Sequence, residues 1–479
     1  MYTAADGGKR GSPLVVIGAG PAGLTAAWEL EKAGLRSVVL EKERVVGGLA
    51  RTVLYKGYRF DIGGHRFFSK AGAVHRMWRQ ILGGDLLLRP QLSRIYFQGK
   101  FFDYPLRLSN AVSGLGLSRC CSAVFDFLKA KARPRLPEAS MEDWIVNRFG
   151  RALYEAFFKS YSEKVWGIPC AAIGADWAEQ RIQGLSLYRA ALSALGLGNG
   201  NGIMTLTKAF YYPRLGPGQM WESMAAQLNA AGNAVLTEAE VVSIRHDGNR
   251  VIEVSARKAG GGIERIPAPE VISSMPLREL VERLDPPVPD RVLQAARALR
   301  YRDFLTVALV IARPNLFADN WIYIHEPRVR VGRIQNFGSW SPALVPQAGH
   351  SCLGLEYFCF EGDDLWSMPD ADLLNLARRE VSLLGLAPAS AAIDGTVVRM
   401  KKACPVYDAG YGPRLAAIRD CLSSFRNLQP VGRNGLHKYN SLDHSMWTAM
   451  LAVRNLRGES NDVWSVNADC ADHEEMRQP

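Results

Sequence analysis

The chain has 479 residues, 48% of them hydrophobic and 22% charged, the balance of an ordinary globular protein and enough length for two or three compact units. No run of about eighteen apolar residues occurs, which argues against an integral membrane segment, and the opening MYTAADGGKRGSP lacks the apolar centre of an export signal, so a cytoplasmic protein is expected. Eight scattered cysteines without a CxxC pair argue for free thiols and no metal site, while the net charge of +11 leaves nucleic acid, a membrane surface and anionic small molecules open on composition alone.

Leu14 to Leu24, LVVIGAGPAGL, is predicted as a strand that breaks into Gly18, Gly20 and Gly23 and then the helix that TAAWELEKAG continues. Gly18 permits the tight turn, Gly20 lets the backbone approach a pyrophosphate, and Gly23 lets helix and strand pack closely. The phosphates would lie on the helix N-terminus, where unpaired N–H groups and the helix dipole favour negative charge. Glu41 closes the next apolar run, SVVLE, about twenty residues on, the spacing at which a carboxylate meets a ribose hydroxyl. The whole reads as a dinucleotide-binding unit. Two glycine pairs follow, Gly47-Gly48 and Gly63-Gly64, bracketing a hairpin-like stretch; they read either as tight turns or as close backbone approach to a flat ligand.

From Val74 to Leu195 the apolar spacing turns helical, interrupted early by the extended RIYFQGKFFDYPL. The basic stretch KAKARPR, Lys129 to Arg135, has no interleaved aromatics for base stacking and reads as a solvated charged face, not a nucleic-acid surface. GLGNGNG, Gly196 to Gly202, reads as a loop. After it come a strand, a Gly/Pro turn and a helix in AFYYPRLGPGQMWESMAAQLNAAG, a hairpin in AEVVSIRHDGNRVIEVSAR and a buried strand ending at Pro276. Alternating strands between Leu305 and Phe360 predict an antiparallel sheet. LQPVGRNG and SMWTAMLAVRNLRG read as a last buried strand and helix that rejoin the first domain. No second strand–GxGxxG–helix unit occurs, so one tightly bound dinucleotide is expected and a separate NAD domain is not.

The N-terminal unit and its following GG resemble the FAD-binding entry of the amine oxidase and protoporphyrinogen oxidase group. IGGHRFFSK, SRIYFQGKFFDYP, EDWIVNRFG, YSEKVWGIPCAAIGADWAEQRI, NWIYIHE, VGRIQNF and VGRNGLHKYNSLDHS resemble, in order and over nearly the whole chain, the UDP-galactopyranose mutases, the eukaryotic type above all. The fold this implies is α/β: a discontinuous Rossmann-like FAD-binding domain of the glutathione-reductase-2 type, an inserted helical domain and an antiparallel β-sheet substrate domain. Expected boundaries are 1–73, 201–290 and 401–479 for the FAD-binding domain, 74–200 for the helical domain and 291–400 for the sheet domain.

The resemblance implies pyranose/furanose interconversion of a nucleotide-diphosphate sugar, in which N5 of the reduced FAD forms an adduct with the anomeric carbon. Covalent catalysis of this kind splits one hard displacement into two easier ones. NADPH or another donor would reduce the flavin, and no oligomeric state is implied. By the same resemblance His65 lies beside the flavin ring, and Arg333 and Arg433 clamp the diphosphate, a task for a planar, permanently charged fork. Tyr323 and Tyr439 donate to the same phosphates, with Arg94, Tyr104, Trp166 and Arg181 at the substrate end. Gly18, Gly20, Gly23, Glu41, Gly47, Gly48, Gly63, Gly64, Val242, Gly432, Asp443, His444 and Ser445 are the implied cofactor contacts. Each has a plainer reading: a structural histidine, surface arginines, core aromatics, or an acid at a helix start.

Departures from the family pattern fall on the nucleotide end. Cys404-Pro405, with Tyr407 nearby, stands where the family has a tyrosine before a proline; Tyr104-Pro105 is kept, but Arg107 and Thr207 replace amide-bearing positions. Flavin and diphosphate are thus better supported than uracil or galactose. Two other functions fit the flavin unit: an FAD-dependent oxidoreductase acting on an amine, a porphyrinogen-like ring or a polyene, and a flavin-binding redox sensor.

Overall fold

The structure, a computed structural model, describes residues 12–69, 71–104, 110, 114, 116–175, 209–408 and 410–466. Two compact units divide the described residues: those within Met1–Gly48, Trp221–Ala298 and Arg414–Asn467 form the first, and those within Leu49–Met220 and Leu299–Pro413 the second. The fold class is mixed α/β, as the sequence implies. Among the described residues no helix is long and apolar enough to cross a membrane.

The first unit is built on a five-stranded parallel sheet. Leu14–Ile17 lies at its centre, flanked on one side by Ser37–Leu40 and then Ala234–Leu236, and on the other by Val271–Ser273 and then Leu428–Pro430. Its central strands are short β-branched runs because both faces are covered: Val15, Val16 and Val39 have no exposure. The helix Pro21–Lys32 buries Ala22, Leu24, Ala26, Ala27 and Leu30 and packs against the C-terminal helix Leu442–Leu456, whose Met446, Ala449 and Ala452 are buried. The last strand and helix do rejoin the first. The predicted hairpin appears as Ala239–Asp247 paired with Arg250–Lys258, in a smaller four-stranded sheet.

The second unit carries a seven-stranded sheet in the order Ala392–Pro405, Tyr301–Ile311, Ser351–Cys359, Arg333–Asn336, Trp321–Ile324, Ser93–Phe97, Lys100–Asp103. All neighbours are antiparallel except Trp321–Ile324 with Ser93–Phe97. Alternation sorts its two faces. Leu305, Val307, Leu309, Leu353, Leu355 and Tyr357 meet the helix Asp370–Leu383 through Leu373, Ala377 and Val381. Ala308, Val310 and Cys352 point the other way, into an aromatic core of Phe60, Phe210, Tyr212, Phe337 and Trp340.

That aromatic core explains where the units depart from the expected domain boundaries. The described residues of 49–73, expected with the dinucleotide unit, belong to the second, and their hairpin, Thr52–Tyr55 and Tyr58–Asp61, buries Tyr58 and Phe60 there with Phe210 and Tyr212. The helical stretch and the antiparallel sheet, expected as separate domains, belong to one compact unit. Its described helices include Gly72–Leu82, Leu117–Ala132, Met141–Phe149 and Ser160–Trp166. Residues 176–208, with the glycine loop and Arg181, lie outside the described residues, as do Pro105, Arg107 and Thr207.

Candidate functional site

In the first unit the glycine turn has the geometry its chemistry requires. Gly18 has φ +94°, and a Cβ there would lie 2.3 Å from Ser274 Oγ; a Cβ on Gly23 would lie 1.8 Å from the Gly18 carbonyl oxygen. Gly20 is different. It is the N-cap of Pro21–Lys32, with no side-chain cap, and its nearest neighbour is Gly48 Cα, 3.9 Å from where a Cβ would be. An uncapped helix start beside two glycines fits a pyrophosphate. Gly47, at φ +99°, donates its N–H to the Ala19 carbonyl at 2.8 Å.

Glu41 is buried, and its carboxylate accepts the Ala19 N–H at 2.7 Å and the Glu43 N–H at 3.0 Å. It therefore braces the loop that follows the first strand, and each oxygen keeps lone-pair capacity for a ribose hydroxyl. Val242 is the extra residue of a β-bulge, between the register pairs Val241–Ala256 and Ser243–Ser255, and bulges detach a residue's backbone from the ladder.

The C-terminal motif also lies in the first unit. Gly432, at φ +79°, donates to Thr448 Oγ1 at 2.9 Å, and a Cβ on it would sit 2.8 Å from Ala22 Cβ. Arg433 donates from Nε to the Asn440 carbonyl at 2.9 Å and lies over the Tyr439 ring at 4.4 Å. Ser441 Oγ holds both Asp443 and His444, and Ser445 Oγ donates to the Ser441 carbonyl at 3.1 Å. This network fixes the start of the helix Leu442–Leu456.

In the second unit, strand register puts Tyr323 opposite Arg333, Arg333 opposite Glu356, and Glu356 opposite Thr306. Register partners share a face, so one polar row crosses four strands of the sheet. Glu356 has no exposure and accepts Arg333 Nε and Gln335 Nε2, each at 2.6 Å. Burial pushes the Glu356 carboxyl up against the pull of the Arg333 guanidinium, which the pair holds charged. The two Nη groups of Arg333 and the Tyr323 hydroxyl have no hydrogen-bond partner among the described residues. They are the row's unspent donors, and an anion is the ligand they suit.

Gly63, Gly64 and His65 run beside this row. A Cβ on Gly64 would stand 2.8 Å from Gln335 Nε2 and 3.3 Å from Trp340, and one on Gly63 3.9 Å from Arg333 Nη2. On the Cβ side, Gly64 thus approaches Gln335 and Trp340, while Gly63 has the Phe304 ring at 3.7 Å. His65 Nδ1 lies 3.1 Å from the Gly63 carbonyl; a carbonyl only accepts, so Nδ1 carries the proton and Nε2 is the basic nitrogen of the neutral ring.

Asp61, just before, is fully buried, accepts from Tyr212 Oη at 2.6 Å and Thr52 Oγ1 at 3.2 Å, and is pushed by burial from 3.8 up to about 8. The folded state thus keeps a proton that the unfolded chain releases. The contribution of Asp61 to stability is fully present below about pH 4 and is lost as pH rises toward about 8. Asp61→Asn is expected to flatten that fall, read by urea unfolding at a series of pH values; a slope equal to that of the unsubstituted protein would contradict it.

Other predicted residues have structural duties. Arg94 spends Nε and Nη2 on Asp319, at 2.9 and 2.6 Å, and lies over Phe101, leaving Nη1 for a ligand. Tyr104 packs its ring 5.0 Å from that of Tyr323, and burial raises its hydroxyl. Trp166 is buried at the end of its helix, which Gly167 closes at φ +66°. Cys404 is buried on the edge strand, opposite Arg302, and Tyr407 packs on Tyr411 at 4.7 Å.

Sequence reasoning missed Glu356, Gln335, Lys164 and His325. Lys164 Nζ donates to the carbonyls of Ile324, Glu326 and Val331, at 3.3, 2.6 and 3.3 Å, and burial pulls it down to about 8. His325 is stacked flat on Tyr161 at 4.8 Å and kept neutral by burial, at about 3. A glutamate inside the apolar run CLGLEYFCF, and a glutamine two residues beyond Arg333 on the same strand face, were the available signals.

The family described as flavin containing amine oxidoreductase matches residues 21–410. Among solved structures, a reduced UDP-galactopyranose mutase is similar with a TM-score of 0.82 at 21% identity, over 95% of this chain and 97% of that one. Wild-type putrescine oxidase bound to putrescine gives 0.63 at 16%, over 94% and 99%. At these identities the likeness is one of fold. An inactive all-trans-retinol 13,14-reductase of Danio rerio is 42% identical over 62 residues, 13% of this chain and 10% of that protein. The chain spans no more than half the length of the curated relatives it matches.

Proposed function

The chain belongs to the flavin-containing amine oxidoreductase family, and within it we propose an FAD-dependent nucleotide-sugar mutase, interconverting pyranose and furanose forms of a nucleotide-diphosphate sugar. The observation that carries this reading is the polar row of the second unit, where Arg333 is oriented by a buried glutamate and offers its Nη pair beside Tyr323. An amine substrate is a cation and gains nothing from that pair of donors. A diphosphate does.

FAD is the cofactor this family implies, and the glycine turn fits its pyrophosphate. When bound and reduced it supplies the nucleophilic chemistry of a redox-neutral isomerisation. The protein's own residues bind and orient. Gly18, Gly20, Gly23, Glu41, Gly47 and Gly48 hold the dinucleotide; Val242, Gly432, Asp443, His444 and Ser445 are further contacts. Arg333 and Tyr323 bind substrate phosphate, as do Arg433 and Tyr439 on this reading, with a diphosphate's charge neutralised by permanently charged forks. Tyr104 and Trp166 serve the substrate end, as does Arg94 through Nη1. His65 lies beside the flavin ring on this reading and helps set the flavin's proton and redox state. A cytoplasmic setting and a nicotinamide donor complete the proposal.

His65→Ala is expected to retain FAD and lose turnover by about 100-fold, the usual range for a positioned acid or base; unchanged turnover would remove His65 from the mechanism. Reaction class is tested by whether turnover needs added reductant and leaves oxygen untouched. Stoichiometric oxygen consumption with an amine would instead place the protein with the oxidases, the reading favoured by its family and by the putrescine oxidase fold likeness.

A further inference from the structure

The helix Leu117–Ala132 of the second unit is amphipathic the wrong way round for a core helix. Val124, Phe125 and Leu128 are 60%, 67% and 59% exposed, and Cys121 is exposed beside them. At 100° per residue these four positions occupy an arc of about 100°. Lys129 lies just beyond one edge of that arc and Lys131 just beyond the other, both exposed, and Arg133 follows, also exposed.

The outward face is not a product of loose packing, because the opposite face is fixed. Ala123 and Ala130 are buried, and Asp126 Oδ2 accepts the Ala152 N–H at 3.1 Å. A Cβ on Gly150 would come within 2.7 Å of Phe127 N, so the chain at Gly150 presses directly on this helix. Asp126, the helix's one acid, is thus spent on the inner side. The next loop continues the pattern with Leu136, 79% exposed.

We propose that this face docks the protein on an anionic phospholipid surface, lying in the interface plane with Val124, Phe125 and Leu128 among the acyl chains and Lys129, Lys131 and Arg133 on the headgroups. An exposed apolar stripe with cations at both edges is the pattern of an interfacial helix, whose lysines lay their stems along the apolar layer and keep their charge at its surface. Charge selects the occupant. A second copy packed on the same face would bring six cations together with no exposed acid of the helix to offset them, whereas an anionic leaflet attracts each one. The inference does not depend on the proposed reaction.

The test is co-sedimentation of the full-length holoprotein with phosphatidylcholine vesicles, with and without about 30% phosphatidylserine, at physiological salt. Binding to the anionic vesicles is expected to be at least about tenfold tighter than to neutral ones. Phe125→Glu, and separately Lys129→Glu with Lys131→Glu, are each expected to lose about tenfold in vesicle binding while flavin content and melting temperature stay unchanged. Absence of an anionic preference, or unchanged binding by a folded Phe125→Glu protein, would overturn the proposal. So would a dimer, seen in sedimentation velocity and dissociated by Phe125→Glu, in a protein that ignores vesicles.

Discussion

Arg333→Ala is expected to lower folding stability by about 3–5 kcal/mol, the range seen when one partner of a buried ion pair is removed. The cause is what it leaves behind. Glu356 has no exposure, and with Arg333 gone its carboxylate keeps only the amide of Gln335. Adding Glu356→Gln removes the stranded charge, so the double variant should regain most of the loss. Substrate binding should not return with it, because the Nη donors are still missing. Urea unfolding of the single and double variants, with KM for a nucleotide-diphosphate sugar, separates the two roles. If Glu356→Gln restored both stability and KM, Arg333 would be a structural residue only.

Gly23→Ala is expected to abolish flavin binding, with bound FAD falling below about a tenth of that in the unsubstituted protein. The added Cβ would fall 1.8 Å from the Gly18 carbonyl oxygen, a backbone atom with no rotamer by which to yield. Helix Pro21–Lys32 would have to move off the strand Leu14–Ile17, taking the uncapped helix start with it. Gly20→Ala, with only Gly48 Cα in contact at 3.9 Å, should leave the apoprotein's stability nearly unchanged while weakening flavin retention. Flavin absorbance after gel filtration, beside thermal unfolding of the apoproteins, checks both. Normal FAD content in Gly23→Ala would contradict the account of the turn.

What was legible in the sequence follows the range of the forces involved. The glycine turn is largely local chemistry: Gly23 answers to the Gly18 carbonyl five residues before it and Gly18 to its own positive φ, so the first strand, turn and helix stand where the pattern predicts, while the neighbours Ser274 of Gly18 and Gly48 of Gly20 lie farther along the chain. The hairpin at Ala239–Asp247 and the terminal helix Leu442–Leu456 are similarly local. The row Tyr323–Arg333–Glu356–Thr306 is not. It exists only through the register of four strands, and nothing near Glu356 in the chain announces that Arg333 will be its partner.

The same reason hid the Arg94–Asp319 pair and the contact of Gly64 with Gln335. The edge strand Ala392–Pro405 escaped because Asp394, Arg399, Lys401 and Lys402 break its apolar alternation, as charges on a sheet edge do. The domain boundaries moved because Phe60 and Phe210, far apart in the chain, share one aromatic core.

The central claim is that phosphate-binding donors and a reduced flavin serve an isomerisation. Its most direct test is an anaerobic, dithionite-reduced assay against UDP-, GDP- and dTDP-hexoses in pyranose and furanose forms, read by chromatography. The account predicts conversion of at least one nucleotide sugar to its ring isomer, with no net change in flavin oxidation state and none of this conversion by the oxidised protein. Absence of any ring isomer from all three nucleotide series, together with oxygen-dependent oxidation of an amine by the same preparation, would contradict it.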